Sequence, residues 1–353
     1  MQLTERRTRL GVTFNYSEDF ATSAAEVPDY ENAGVDLITV AELYSFDAVS
    51  QLGYLAALTK TITLASGILP IYSRTPALLA MTAAGLDAVS GGRFELGIGS
   101  SGAQVIEGWH GVPFSAPLAR IRENVEICRA VWKRETLIHA SGHYRIPLPA
   151  DEGRGLGKAL KIINRPVRES IPIFIAALTP KAVAQASEIA NGWIPLFFYP
   201  EKADAAWGDA IAEGTSRRSP ELGTLDITAQ MPFYLGDNPH AALSTYRKSV
   251  ALYLGGMGAK GSNFYNDLAI RYGFVDEAAT VQELYLTGQK FEAVKALPED
   301  LITGTSLIGN ETHVRARVAA LKKAGVTTIS VTPLADTKVA RVEQLEALRS
   351  LLD

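Results

Sequence analysis

Apolar positions along this 353-residue chain fall into two alternating patterns. Short runs rich in aliphatic and β-branched residues occupy positions 10–14, 36–41, 61–69, 94–99, 172–177, 192–198, 227–235 and 327–332. Longer stretches with helical spacing lie between them, at 21–33, 46–59, 76–89, 118–133, 180–190, 202–213 and 314–324, and a last one at 340–352 ends the sequence. Strand-like runs alternating with helical ones predict parallel strands joined by crossover helices. Eight such pairs in a chain of this length match an α/β (β/α)8 TIM barrel carrying insertions.

Local signals support the boundaries. Thr75–Pro76 and Thr179–Pro180 each read as an N-cap followed by proline in the first helical position. Gly34, Gly91 with Gly92, Gly192 and Gly325 follow helices, where a left-handed residue would end them. No linker or low-complexity tract divides the chain, so one domain is expected over 1–353, with insertion segments at about 141–171 and 238–308. The first carries Arg154, Lys158, Lys161, Arg165 and Arg168 and the second GGMGAKGSNFYND. Each reads either as a solvated surface or as a lid over a ligand.

Composition narrows the function. A net charge of −4 with intermixed signs gives no basic stripe for nucleic acid. The single cysteine, Cys128, rules out a disulfide framework and reads as a small buried residue. Neither a signal peptide nor a membrane-spanning run is seen, so a cytoplasmic protein with a small-molecule substrate is expected. The five histidines form no metal-ligating cluster, and neither a G-x-S-x-G elbow nor a phosphate-binding P-loop is present.

In a parallel barrel the chemistry gathers where strands end. Gly97-Ile98-Gly99-Ser100-Ser101-Gly102 follows the fourth strand, and its small residues would let backbone amides approach an anion or a planar ring. A dinucleotide-binding reading of that motif fails, because the acid at the right distance, Glu123, falls inside a helix. Ala177-Leu178-Thr179-Pro180-Lys181 combines a helix start, a hydroxyl and an ammonium, either as an anion seat or as an ordinary capped helix. Glu42 ends an apolar run, so its carboxylate would stand at the rim, free for chemistry or paired with an arginine. His110 lies in a loop with Trp109 and two glycines.

The segments SRTPALLAMTAAGLDAVSGGRFELGIGSSGAQVIEGWHGVPF and PLARIRENVEICRAV resemble the bacterial luciferase-like superfamily, in its deazaflavin-dependent oxidoreductase branch. ITVAELYSFDAVSQLGYLAA, IPIFIAALTPKAVAQASEIANGW, YLGGMGAKGSNFYNDLAIRYGF and AGVTTISVTP extend the likeness over nearly the whole chain. The resemblance implies a (β/α)8 barrel that often pairs as a dimer, with a deazaflavin or isoalloxazine ring in its mouth. It implies a non-prolyl cis peptide in Ser66-Gly67-Ile68, at Gly67–Ile68. Cofactor contacts transfer to Gly99, Ser100, Ser101, Gly102 and Gln104, phosphate contacts to Ala177, Leu178, Thr179 and Lys181, and the acid beside the reactive ring to Glu42. Luciferases and sugar-phosphate dehydrogenases have histidine next to that acid. Here the residue is Leu43, so the resemblance does not carry the glucose-6-phosphate reaction.

The expected cofactor is coenzyme F420, with FMN as the alternative, and the expected reaction is hydride transfer to or from a small alcohol, ketone or enone. Glu42 is the first choice for proton transfer, supported by His110 and Asn15. An FMN-dependent monooxygenase is the nearest alternative. A non-catalytic flavin-binding barrel, or a lyase or isomerase acting on a phosphorylated substrate, stands as the reading from another class.

Overall fold

The computed structural model describes residues 7–14, 19–140, 142–258 and 260–353. Eight parallel strands form a closed ring: β1 (Arg9–Phe14), β2 (Leu37–Val40), β3 (Thr63–Ser66), β4 (Phe94–Gly99), β5 (Ile173–Ala176), β6 (Gly192–Ile194), β7 (Asp226–Leu235) and β8 (Thr328–Pro333). Each strand pairs with the next, and β8 closes the ring by pairing with both β7 and β1. The architecture is a (β/α)8 barrel. Its strands are buried on both sides, which is why they read as unbroken apolar runs. Leu10, Ile38, Leu64, Phe94, Ile173, Trp193, Ala229 and Ile329 are all buried in it.

The helices run back along the outside. Pro76–Val89 begins as expected, with the Thr75 hydroxyl accepting the Leu78 N–H at 3.3 Å. Cys128 is buried in helix Pro117–Trp132, and burial pushes its thiol up to about 12, so it stays a packing residue. Among the described residues, no helix is long and apolar enough to cross a membrane.

The elements depart from the sequence reading in several places. The helix expected over 21–33 is two short helices, Phe20–Ala24 and Val27–Asn32, because Pro28 has no N–H to continue the first. The third strand is cut after Ser66 and resumes as a two-residue strand, Leu69–Pro70. The sixth ends at Ile194, and Phe197 beyond it turns with φ 54°. Gly192 is extended strand rather than a helix end. A side chain there would lie 2.2 Å from the Phe174 ring.

The two insertions leave opposite ends of the barrel. The first starts below helix Pro117–Trp132 and returns to the foot of β5, where Arg168 binds the buried Asp87 carboxylate and the Phe94 carbonyl. Arg154, Lys158, Lys161 and Arg165 on it are exposed. The second leaves the C-terminal end of β7 and folds as helices His240–Gly256, Phe264–Arg271, Val275–Leu286, Lys290–Lys295 and Glu299–Gly304. It ends in a short strand, Leu307–Gly309, paired with Phe233 to Leu235 of β7. That insertion therefore belongs to the catalytic end of a barrel.

Candidate active site

The rim is shaped first by the break in β3. Leu64 and Ala65 pair with Phe94 and Glu95, and pairing resumes with Leu69 opposite Ile98 and Pro70 opposite Gly99. Ser66, Gly67 and Ile68 thus oppose only Leu96 and Gly97, an insertion of one residue that makes a bulge. The Gly67–Ile68 peptide within it is cis, at the bond singled out in the sequence. Ser66 Oγ donates to the Gly97 carbonyl at 2.8 Å and accepts the Gly97 N–H at 2.9 Å, replacing the lost ladder bonds with a side chain.

The glycines here answer to crowding. A Cβ on Gly67 would stand 2.1 Å from Thr39 Cγ2, and one on Gly97 would stand 1.9 Å from the Ser66 carbonyl oxygen. Gly99 leaves room for the Ile68 side chain, whose Cγ1 and Cδ1 would lie 3.3 Å from a Cβ placed there. The first glycine of G-x-G-x-x-G is therefore required by the bulge, and the second gives the Ile68 side chain its room. Beyond them Ser101 takes φ 59°, and Gly102 caps a short helix, Ala103–Gly108, where the sequence predicts a loop. Ser100, Ser101 and Gly102 are half-buried on this rim, and Gln104 is exposed in the first helical turn.

The β5 rim is built by tying carbonyls back. Trp193 Nε1 donates to the Ala177 carbonyl at 2.9 Å, and Trp207 Nε1 to the Leu178 carbonyl at 2.8 Å. Arg271, from helix Phe264–Arg271 of the second insertion, also donates to the Leu178 carbonyl at 2.8 Å. Thr179 then caps helix Pro180–Ile189 by backbone alone. Unlike Thr75, its hydroxyl makes no capping hydrogen bond among the described residues. With the carbonyls held from behind, the first helical turn leaves N–H donors, the Thr179 hydroxyl and exposed Lys181 to meet an anion.

Arg271 is a residue that the sequence reading missed. Its guanidinium lies over the Trp207 ring, 5.9 Å from the centroid, and its buried Nε has no hydrogen-bond partner among the described residues. Burial lowers its pKa, as expected for a cation held in an apolar wall.

Glu42, two residues beyond β2, is 9% exposed and accepts hydrogen bonds at both oxygens. Arg74 meets it with two prongs, at 2.5 Å to Oε1 and 2.9 Å to Oε2, and the Ala48 N–H at the start of helix Ala48–Leu58 donates to Oε2 at 3.1 Å. Of the two roles open to it in the sequence, the structure shows the arginine pair. His110 is half-buried just past helix Ala103–Gly108, its Nε2 buried without a partner among the described residues. Asn15 lies outside the described residues.

Aromatic side chains roof this end. Tyr253 of helix His240–Gly256 meets Phe197 edge to face at 5.3 Å and Tyr265 at 4.8 Å, while Tyr44 and Trp109 approach at 6.4 Å across the β2 and β4 rims. A cavity of about 270 Å³ at the foot of the barrel, lined by Arg9, Glu95, Asn191 and Asp226, lies where strands begin and so apart from this rim.

The luciferase-like monooxygenase family model matches residues 7–328, and the chain belongs to that family. It is an oxidoreductase. A protein of Mycobacterium tuberculosis (strain ATCC 25618 / H37Rv) named as a coenzyme F420-dependent oxidoreductase is 39% identical over 334 residues, 93% of this chain and 96% of its own. Among solved structures, the coenzyme F420-dependent tetrahydromethanopterin reductase from Methanopyrus kandleri superposes with a TM-score of 0.78 at 23% identity, over 96% of this chain and 97% of its own. An F420-dependent secondary alcohol dehydrogenase bound to an F420–acetone adduct superposes with a TM-score of 0.71 at 15% identity, over 98% of this chain and 99% of its own. Both structural likenesses speak for the fold.

Proposed function

We propose that the protein is an F420-dependent oxidoreductase that moves a hydride between the deazaflavin ring and a small organic substrate of the alcohol, ketone or enone type. The observation that carries this reading is one rim that joins a flat apolar support to an anion seat. The Ser66-Gly67-Ile68 bulge lays Ile68 against Gly99 as the support. The Ala177–Thr179 turn, with its carbonyls held by Trp193, Trp207 and Arg271, is the seat.

These residues fit a planar ring on a phosphate-bearing chain. Ile68 and Gly99 would face the ring. Ser100, Ser101, Gly102 and Gln104 would run along the chain, and Ala177, Leu178, Thr179, Lys181 and Arg271 would hold the phosphate. When bound, F420 supplies two-electron hydride chemistry at ring C5. The protein's part is orientation and control of one proton. With both oxygens of Glu42 engaged by Arg74 and Ala48, its role becomes to fix the β2 rim.

Turnover tests the reading. Under anaerobic conditions, reduced F420 is mixed with a panel of ketones and enones, and oxidised F420 with secondary alcohols. F420-dependent turnover with at least one member, and none with FMN in its place, supports it. Turnover only with reduced FMN and oxygen would overturn it.

A further inference from the structure

The first insertion carries an exposed stretch, Gly153 to Arg168, that the site at the mouth does not use. Arg154, Lys158, Lys161 and Arg165 on it are all exposed, and the stretch contains no acidic residue. In a chain whose net charge is −4, this is a local reversal of sign. Large aliphatic side chains alternate with these cations: Leu156 is 79% exposed, Leu160 64% and Ile163 92%. A lone exposed aliphatic is ordinary on a protein surface, but a run of them set between cations is a patch that calls for a partner.

The stretch has neither helix nor strand, yet it is tied down along its length. The Leu137 N–H, just past helix Pro117–Trp132, donates to the Leu160 carbonyl at 2.8 Å. Ile162 packs against the core while Ile163 beside it faces solvent. A Cβ on Gly157 would stand 3.1 Å from the Leu148 carbonyl oxygen, so the chain doubles back closely there. Arg168 fastens the end to Asp87 at 3.0 Å and to the Phe94 carbonyl at the foot of β4. Side chains presented on a backbone held in this way cost little to order when a partner arrives.

We propose that this stretch docks the protein on an anionic lipid bilayer, with the four cations against phosphate headgroups and Leu156, Leu160 and Ile163 entering the boundary between headgroups and acyl chains. A lipid surface meets both needs at once, because the cations gain from headgroup charge and the aliphatics from leaving water. A second copy meets them poorly, since a two-fold contact would set the same cations against one another. Nucleic acid does too. The stretch holds no aromatic side chain to stack on a base, and an exposed isoleucine gains nothing from a phosphate backbone. The anchors lie at the end of helix Pro117–Trp132 and at the foot of β4, so a bilayer held there leaves the mouth of the barrel open. Such docking is peripheral, needs no spanning helix and stands independently of the cofactor reading.

Flotation with vesicles tests it. Vesicles of phosphatidylcholine and phosphatidylglycerol in equal parts are expected to carry the protein at low salt, and vesicles of phosphatidylcholine alone to leave it behind. Lys158→Gln combined with Lys161→Gln should weaken binding about tenfold, and added salt should weaken the wild type more than this variant. Ile163→Ser should weaken it about threefold. Because Cys128 is buried, Ile163→Cys gives a single reactive thiol for an environment-sensitive fluorophore, whose emission should brighten and shift to the blue with the mixed vesicles. Binding to neither vesicle, equal binding to both, or emission that stays unchanged while the protein floats would overturn the proposal. So would a fluorophore response to protein concentration or to duplex DNA without lipid, which would make a second copy or nucleic acid the occupant. The replaced side chains are exposed, so the variants should unfold at the wild-type temperature. Should one fold poorly, the lipid selectivity and salt dependence of the wild type still decide.

Discussion

Glu42 and Arg74 form a two-pronged ion pair at the rim of the barrel, with side chains 8% and 13% exposed. Removing one member strands the other charge in a dry place. Glu42→Gln and Arg74→Gln are each expected to cost about 3 kcal/mol in urea unfolding and to reduce turnover to a similar degree. A double replacement by apolar residues should recover part of the stability. If Glu42 were the proton carrier, Glu42→Gln would lose far more turnover than Arg74→Gln at equal stability.

The bulge of β3 makes a contrast between two glycines. Gly67→Ala drives a methyl into the stiff, β-branched Thr39, with an expected cost of about 2 kcal/mol, and Thr39→Ser should restore part of it by removing the methyl that clashes. Gly97→Ala meets a backbone oxygen, that of Ser66. No side-chain change at position 66 should rescue it. Thermal unfolding of these variants reads both outcomes.

Arg271 is expected to contribute to cofactor affinity through charge and through the Leu178 carbonyl it holds. Arg271→Ala should raise the F420 dissociation constant about tenfold, and Arg271→Lys should recover part of the loss. The titration should show a slope with salt in the wild type that flattens in Arg271→Ala.

Away from the site, Glu26 ties the second short helix to the C-terminal helix Lys338–Leu352 through Arg341, at 2.5 and 3.0 Å, and accepts the Tyr30 hydroxyl at 2.6 Å. Burial alone would raise its pKa. The hydrogen bonds from Arg341 and Tyr30, with the charge of Arg341, outweigh that and hold it below the ordinary 4.5. A lowered folded pKa means stabilisation that is present above 4.5 and lost as pH falls through the folded value. The stability gap between wild type and Glu26→Gln is therefore expected to be widest near neutrality and to close in acid, in unfolding series run across that range.

The barrel was legible because strands buried on both faces leave unbroken apolar runs, and proline after threonine marks helix starts whatever the tertiary setting. The bulge itself was not legible, and only its cis peptide was signalled, through family likeness. Its cause is the fit of Ser66 to Gly97, 31 residues apart, which no local pattern encodes. Pro28 was plain in the sequence but was absorbed into a helical spacing that it interrupts. At the site, Glu42 was found by its position after an apolar run, whereas its partner Arg74 is 32 residues away and unmarked. Tyr253, Tyr265 and Arg271 were missed because they sit in an insertion with no chemical motif. The one signal was aromatic density around GGMGAKGSNFYND, which is meaningful only once that segment is known to cover the mouth.

The central claim is that this rim holds a deazaflavin, and equilibrium titration of the purified protein with F420 and with FMN tests it most directly. Saturable F420 binding at least about tenfold tighter than FMN, weakened by Arg271→Ala, is the expected result. Tight FMN binding with no response to F420 would contradict it.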